Sequence, residues 1–218
     1  MAKADTLMAE TLETLKFYYD FKSPFSYLAL APSLALETSH RVRLRFMPYT
    51  VDLKSAYGGE LEQRTELHWA KVRYLYADAR RFANDRGLII RGPKKLFDSR
   101  LALMSGQFAA DHGKIAEYAD RTFERFFKRE LDIENLDALC ATLTECGLDA
   151  EAFRRYIVRD GPAALALIEQ EAAGDNIFGV PTLLIRGEPF WGNDRLSWAA
   201  KKLDALGLRR SEAAPARA

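Results

Sequence analysis

The stretch Phe17-Tyr-Tyr-Asp-Phe-Lys-Ser-Pro-Phe-Ser-Tyr27 decides how the rest of the chain is read. An aromatic, strand-like run ends at Asp20, and Ser-Pro-Phe-Ser stands where a helix would begin. Ser23 is a favoured N-cap residue, and Pro24 suits the first helical position, where a missing N–H costs nothing. One serine is enough for a cap. The second, Ser26, gives the pair the spacing of a redox Cys-x-x-Cys with both sulfurs replaced by oxygen. A helix start gathers unpaired N–H groups and the positive end of the helix dipole on one spot, which stabilises a thiolate placed there. This chain offers no sulfur at that spot. Ser23 is therefore either only a cap, or a cap that also donates to a sulfur brought by a ligand.

Working outward, Thr14 to Asp20 reads as a buried strand. Pro24 to Glu37 reads as a helix with Tyr27, Leu28, Ala31, Leu34 and Ala35 as its apolar set, and Pro32 predicts a kink or a new start within it. Val42 to Met47 alternates apolar residues with Arg43 and Arg45, a strand with one wet face. Tyr57-Gly-Gly59 reads as loop. From Glu62 to residue 173 the signal is helical. Trp69, Val72, Leu75, Tyr76, Ala79 and Phe82 keep helical spacing up to a stop at Asn84 to Gly87, and further helices are expected at 99–111, 113–128, 135–146, 149–158 and 161–173, the fourth capped by Asp149. A second β region opens at Gly179-Val-Pro-Thr182. It continues as a hairpin, Thr182 to Ile185 and Pro189 to Trp191, turning through Arg186-Gly187-Glu188. Asn193 to Leu206 reads as a closing helix, and the Ala- and Pro-rich end as disordered.

The order β-α-β, helices, β-β-α is the thioredoxin arrangement, and the fold class expected is α/β, thioredoxin-like, with a large all-helical insertion. Residues 14–61 and 174–208 would form a discontinuous thioredoxin-like domain, 62–173 the insertion, and 209–218 a disordered tail. The insertion is expected to pack over the Ser23 side, with Trp69 and Phe97 as an apolar wall for an aromatic substrate.

The chain's 218 residues allow one domain, or one with a large insertion, and a hydrophobic fraction of 48% supplies its core. Lys and Arg number 32 against 31 Asp and Glu, a balance that gives no global field for nucleic acid or anionic membrane. No apolar run approaches the roughly 18 residues that a membrane span needs. The segment MAKADTLMAETLETLK lacks an apolar signal core, so a cytoplasmic location is expected, with Cys140 and Cys146 as buried, reduced thiols. His40, His68 and His112 fall on separate elements without metal spacing. Gly58-Gly59 lacks the flanks of a phosphate loop, and no G-x-S-x-G elbow is present. Disulfide exchange is excluded at Ser23 and Ser26, because a hydroxyl cannot exchange with a thiol.

Two further motifs bear on the opening one. Val180-Pro181 follows a glycine and starts a strand. Such a proline is either an ordinary strand start or a cis turn that frees the N–H and C=O of Val180 for an extended peptide. The second reading predicts a cis Pro181 close to Ser23. Phe190-Trp-Gly-Asn-Asp-Arg195 stands at the mouth of the last helix. Asn193 and Asp194 can be its cap and first-turn acid, or Asp194 can accept a ligand ammonium while helix N–H groups hold a carboxylate. On the long helix, Lys71, Tyr74, Asp78 and Arg81 form a polar stripe opposite Val72, Leu75 and Ala79.

FYYDFKSPFSYLA, KVRYLYADARRFA and FGVPTLLIRGEPFWGNDRL, with this topology, resemble the 2-hydroxychromene-2-carboxylate isomerases and kappa-class glutathione transferases, a group within the DsbA-like proteins. The likeness spans about residues 15 to 206. It implies glutathione as cofactor, with Ser23 contacting its sulfur, Val180 and Pro181 its cysteinyl backbone, Asp194 with Asn193 its γ-glutamyl end, and Lys71 its glycyl carboxylate. It also implies a homodimer acting on a small aromatic substrate. The segment Tyr49 to Glu60 departs from the group, which there carries a Gly-Asn-x-Pro-Pro loop whose Asn contacts glutathione; this chain has no Asn between Met47 and Ala83. The activity implied is a glutathione-dependent cis–trans isomerisation of an aromatic keto acid by reversible thiolate addition. The alternatives are a glutathione transferase and a non-catalytic thioredoxin-like module that binds a peptide or thiol.

Overall fold

In the computed structural model, residues 12–53, 57–58 and 61–211 are described. Strand β1 (Glu13–Tyr19) shows why the sheet is central. Its odd residues Leu15, Phe17 and Tyr19 are fully buried in the main core, and Phe17 meets Phe46 edge-on at 5.5 Å. Its even residues face the other side, where Tyr18 packs with Met47, Ile168, Ala172 and Leu184. Successive strand side chains point to opposite faces, so a segment buried on both must be apolar, as Phe17 to Tyr19 is.

β1 runs parallel to β2 (Val42–Pro48) and antiparallel to β3 (Thr182–Ile185), which pairs with β4 (Glu188–Trp191) in the order β2-β1-β3-β4. The β3–β4 turn uses Arg186 at φ 50 and Gly187 at φ 81, the backbone that a two-residue hairpin requires. Arg186 also clamps Glu13 with two hydrogen bonds, at 3.0 and 2.7 Å.

Helix α1 (Pro24–Ser39) continues through Pro32, with no new start at the proline. Proline has no N–H for the carbonyl four residues earlier, that of Leu28. Here Arg86 Nη1 donates to the Leu28 carbonyl at 2.5 Å and replaces the missing partner. Between β2 and β3 lie a 3-10 turn (Leu61–Gln63) and α2 (Glu66–Asn84), α3 (Arg100–Asp111), α4 (Ile115–Lys128), α5 (Leu136–Glu145), α6 (Ala150–Arg159) and α7 (Gly161–Gly174). Asp149 caps α6 as expected, accepting from the N–H groups of Glu151 and Ala152. α8 (Leu196–Ala205) closes the chain against α1 and the hairpin.

The helical stretch does not lie wholly over the Ser23 side. α2 does, but α7 covers the opposite face of the sheet, where Ile168 and Ala172 meet Tyr18. On that face the Lys16 ammonium also pairs with Glu171 at 2.7 Å and Asp175 at 2.5 Å, beside these apolar contacts. The expected closing helix from Asn193 is instead a 3-10 turn (Asn193–Arg195) followed by α8. Asn193 caps neither, because Gly192 at φ 109 redirects the chain just before it. Order also extends past the expected start of the tail: Arg209 bridges His40, and the Arg210 N–H donates to the Ser39 carbonyl at 2.9 Å. Residues 212–218 lie outside the described residues, as does Gly59 of the expected loop. Cys140 and Cys146 are buried and unpaired. Among the described residues no helix is long and apolar enough to cross a membrane.

Candidate active site

Ser23 ends the turn after β1 and caps α1, its Oγ accepting the Ser26 N–H at 3.2 Å. Its hydroxyl faces the carbonyl of Val180, 157 positions later in the chain, at 3.5 Å. The Val180-Pro181 bond is cis. The two motifs that the sequence sets apart therefore meet, as expected. At 3.5 Å the hydroxyl is held at the outer limit of a hydrogen bond, so it can turn to another acceptor at little cost.

A cleft of about 810 Å³ opens beside this contact. One wall is α2, through Trp69, Val72, Leu75, Tyr76 and Phe82. Phe97 and Phe126, edge to face at 5.2 Å, form a second wall. Phe178 and Trp191, centred 4.8 Å apart, stand exposed at its mouth. Trp69 and Phe97 thus occupy the place the sequence assigns them. The approach at Gly179 is close, since a Cβ would lie 2.8 Å from the Trp191 Nε1. Burial pushes the phenols of Tyr57 and Tyr76 above their ordinary range, so both cleft hydroxyls stay protonated as donors.

Ser23, Val180, Pro181, Asn193 and Asp194 all line this cleft. Lys71 does not; it lies on the exposed face of α2. Asp78, about two turns further on, does reach the cleft, where Arg81 holds it at 2.9 Å. Asn193 is buried, and its Nδ2 has no hydrogen-bond partner among the described residues. A donor in that state is unusual, and its residue lines the cleft. Asp194 is half-exposed and pairs with Arg195 at 3.4 Å.

Two residues that sequence reasoning passed over belong to the site. Lys22 lines the cleft next to Ser23. Asp20 is fully buried under it, with the Lys22 ammonium 3.6 Å away. Burial pushes the Asp20 carboxyl above its ordinary range, against the charge of Lys22 and the N–H groups of Lys22 and Val51. The available signal was a lone acid closing an aromatic strand. Among the described residues no group of three or more side chains could hold a metal ion.

The fold and this cis-proline contact define a thioredoxin-like protein of the DsbA type, and the family described as DSBA-like thioredoxin domain matches residues 14–204. The chain belongs to that family and, within it, to the 2-hydroxychromene-2-carboxylate isomerases. The isomerase of that name from Pseudomonas putida is 30% identical over 186 residues, covering 83% of this chain and 89% of that one. The one from Sphingobium xenophagum is 25% identical over 189 residues, covering 85% and 95%. A solved 2-hydroxychromene-2-carboxylate isomerase shares the fold at a TM-score of 0.74 and 24% identity, over 89% of this chain and 96% of that one. The cytosolic disulfide reductase DsbM of Pseudomonas aeruginosa, solved with GSH, shares it at 0.61 and 17% identity, over 88% and 99%.

Proposed function

We propose that the protein is a glutathione-dependent isomerase of 2-hydroxychromene-2-carboxylate-like aromatic keto acids. The observation that carries this reading is the Ser23 hydroxyl at the N-terminus of α1, facing Val180 across the floor of an aromatic cleft. The names of the relatives support it.

The residues fit glutathione. Pro24 has no N–H and that of Ser26 goes to Ser23, which leaves the Phe25 N–H of the first turn for a ligand. Val180 offers main-chain groups for an extended cysteinyl backbone. The unpartnered Asn193 Nδ2 suits a carboxylate, and Asp194 suits an ammonium. Lys71 has no part in this reading. When bound, glutathione supplies a thiolate that adds reversibly to the conjugated double bond, lets it rotate, and leaves. Ser23 donates to the sulfur and, with the helix dipole, favours its charged form. The walls of Trp69, Phe97 and Phe126 hold the aromatic ring and exclude water. Tyr57 and Tyr76 offer hydroxyl donors to the carbonyl end of the substrate. From the family likeness we further propose a homodimer in the cytoplasm.

Ser23→Ala tests the reading. It should cost about 1 kcal/mol of stability as a lost cap, and it should also lower activity at neutral pH, with partial recovery at higher pH as the bound thiol ionises unaided. Ser23→Cys should trap glutathione as a mixed disulfide. An unchanged rate and pH profile in Ser23→Ala would refute the role. Counting thiols during turnover separates isomerase from transferase, because only isomerisation leaves the count constant.

A further inference from the structure

Asp20 sits where β1 gives way to the turn that carries Ser23, and it is fully buried. Its Oδ1 accepts the N–H of Lys22 at 3.0 Å, and its Oδ2 accepts the N–H of Val51 at 2.9 Å. The Lys22 ammonium lies 3.6 Å from that same Oδ2 and donates to the Val51 carbonyl at 3.4 Å. Both main-chain groups of Val51 are thus held by this one ion pair. The Asp20 main chain secures the other side: its carbonyl accepts the Ser23 N–H at 2.9 Å, and its N–H donates to Ser26 Oγ at 3.4 Å.

Lys22 and Val51 come from different segments, the turn before α1 and the loop after β2, and both line the cleft. A carboxylate is the one side chain of this size that can accept from both N–H groups at once. Asparagine would accept one and present its own N–H to the other. Burying a carboxylate is unfavourable unless its charge is fully met. Leucine would fill the space but leave both N–H groups unmet, so the carboxylate is there for what it accepts.

We propose that Asp20 is the positioning residue of this site: its carboxylate locks the Ser23 turn against the Val51 loop, and so fixes the width of the cleft at the point where sulfur is held. The proposal rests on the reading of the cleft as a thiol site. Asp20 touches no substrate; it acts through Ser23 and Val51.

The test compares the wild type with Asp20→Asn and Lys22→Met. Four quantities are measured: the midpoint of thermal unfolding, the exchange rate of the Val51 amide without ligand, glutathione affinity by calorimetry, and kcat and KM. Asp20→Asn should remain folded with an unchanged or raised midpoint, and its Val51 amide should exchange at least about tenfold faster. It should bind glutathione about tenfold more weakly, with the loss in KM rather than kcat, as expected for losing one charge-assisted hydrogen bond. Lys22→Met should move the same readings in the same direction by less. Unchanged Val51 exchange and unchanged affinity in Asp20→Asn would overturn the proposal. If Asp20→Asn fails to fold, unchanged Val51 exchange in Lys22→Met overturns it and faster exchange supports it. If the wild type binds no glutathione, the functional reading falls, and Val51 exchange alone decides whether Asp20 positions the loop.

Discussion

Asp20 and Asp175 each hold a lysine beside β1, at the cleft end and on the α7 face respectively. Burial alone would raise the Asp175 carboxyl, but hydrogen bonds from Lys16 at 2.5 Å and from Tyr18, with the charges of Lys16 and Arg45, outweigh it and hold the group below its ordinary range. Glu171 behaves likewise between Lys16 and two Arg45 hydrogen bonds, at 2.7 and 2.8 Å. At Asp20 burial wins. One face of the sheet therefore uses its charges to dock α7, with each acid matched by a partner. The cleft end keeps an acid that is incompletely matched. A group retained against its own stability points to the place where the chain does something other than fold.

The largest expected effect is on the α7 face. Asp175→Ala should cost about 2–3 kcal/mol in urea unfolding, since Lys16 keeps only Glu171 and the Tyr18 hydroxyl loses its acceptor. Asp20→Asn should cost nothing or raise stability. Equal losses in the two variants would break the contrast.

The pH dependence sharpens it. Asp175 and Glu171 have folded values below their unfolded ones, about 4. Their contribution is present above that pH and is lost as pH falls through the folded values. Asp20 has a folded value above its unfolded one, so its contribution is present at low pH and is lost as pH rises through the folded value. On acidification from neutral pH, the wild type should first gain from Asp20 and then lose from the α7 face. Asp20→Asn should lack the first gain, and Asp175→Asn should lack part of the later loss. Urea midpoints taken across pH would show both.

The smallest effect is at the mouth of the cleft. Gly179→Ala pushes on the Trp191 indole, which is half-exposed and can swing aside. Stability should change by only about 0.5 kcal/mol, as at other surface positions, while the Trp191 fluorescence shifts. A loss of several kcal/mol would show that the mouth is as rigid as the sheet.

The sheet and its first helix were legible because their signals are local. An aromatic run, a Ser-Pro start and alternation around Arg43 and Arg45 place β1, α1 and β2 within a residue or two of where they stand. The meeting of Ser23 with Val180 followed from topology. What was not legible depends on distant partners. The continuity of α1 through Pro32 needs Arg86, which comes from beyond α2. The split of the helices between two faces rests on contacts of Ile168, Ala172, Glu171 and Asp175 with Tyr18 and Lys16, residues far apart in the chain. Asn193 read as a cap because its type suits one, but the φ of Gly192 is invisible in a pattern of residue types. Lys71 and Asp78 share a stripe, but they stand about two turns apart along α2, and only Asp78 lines the cleft. Asp20 was hidden for a similar reason, since nothing local to a strand-ending acid shows that it accepts the N–H of Val51.

The contact between Ser23 and Val180 joins residues 157 positions apart, and the strand register alone brings them together. Closing so long a loop is slow, but each doubling of its length adds only about 0.6 kcal/mol. The segment that supplies α2 and the aromatic walls can therefore lengthen, shorten or change its surface over evolutionary time with little penalty to the sheet that sets the serine against the proline. The helices around the cleft and the strands that set Ser23 against Val180 can therefore change independently of one another.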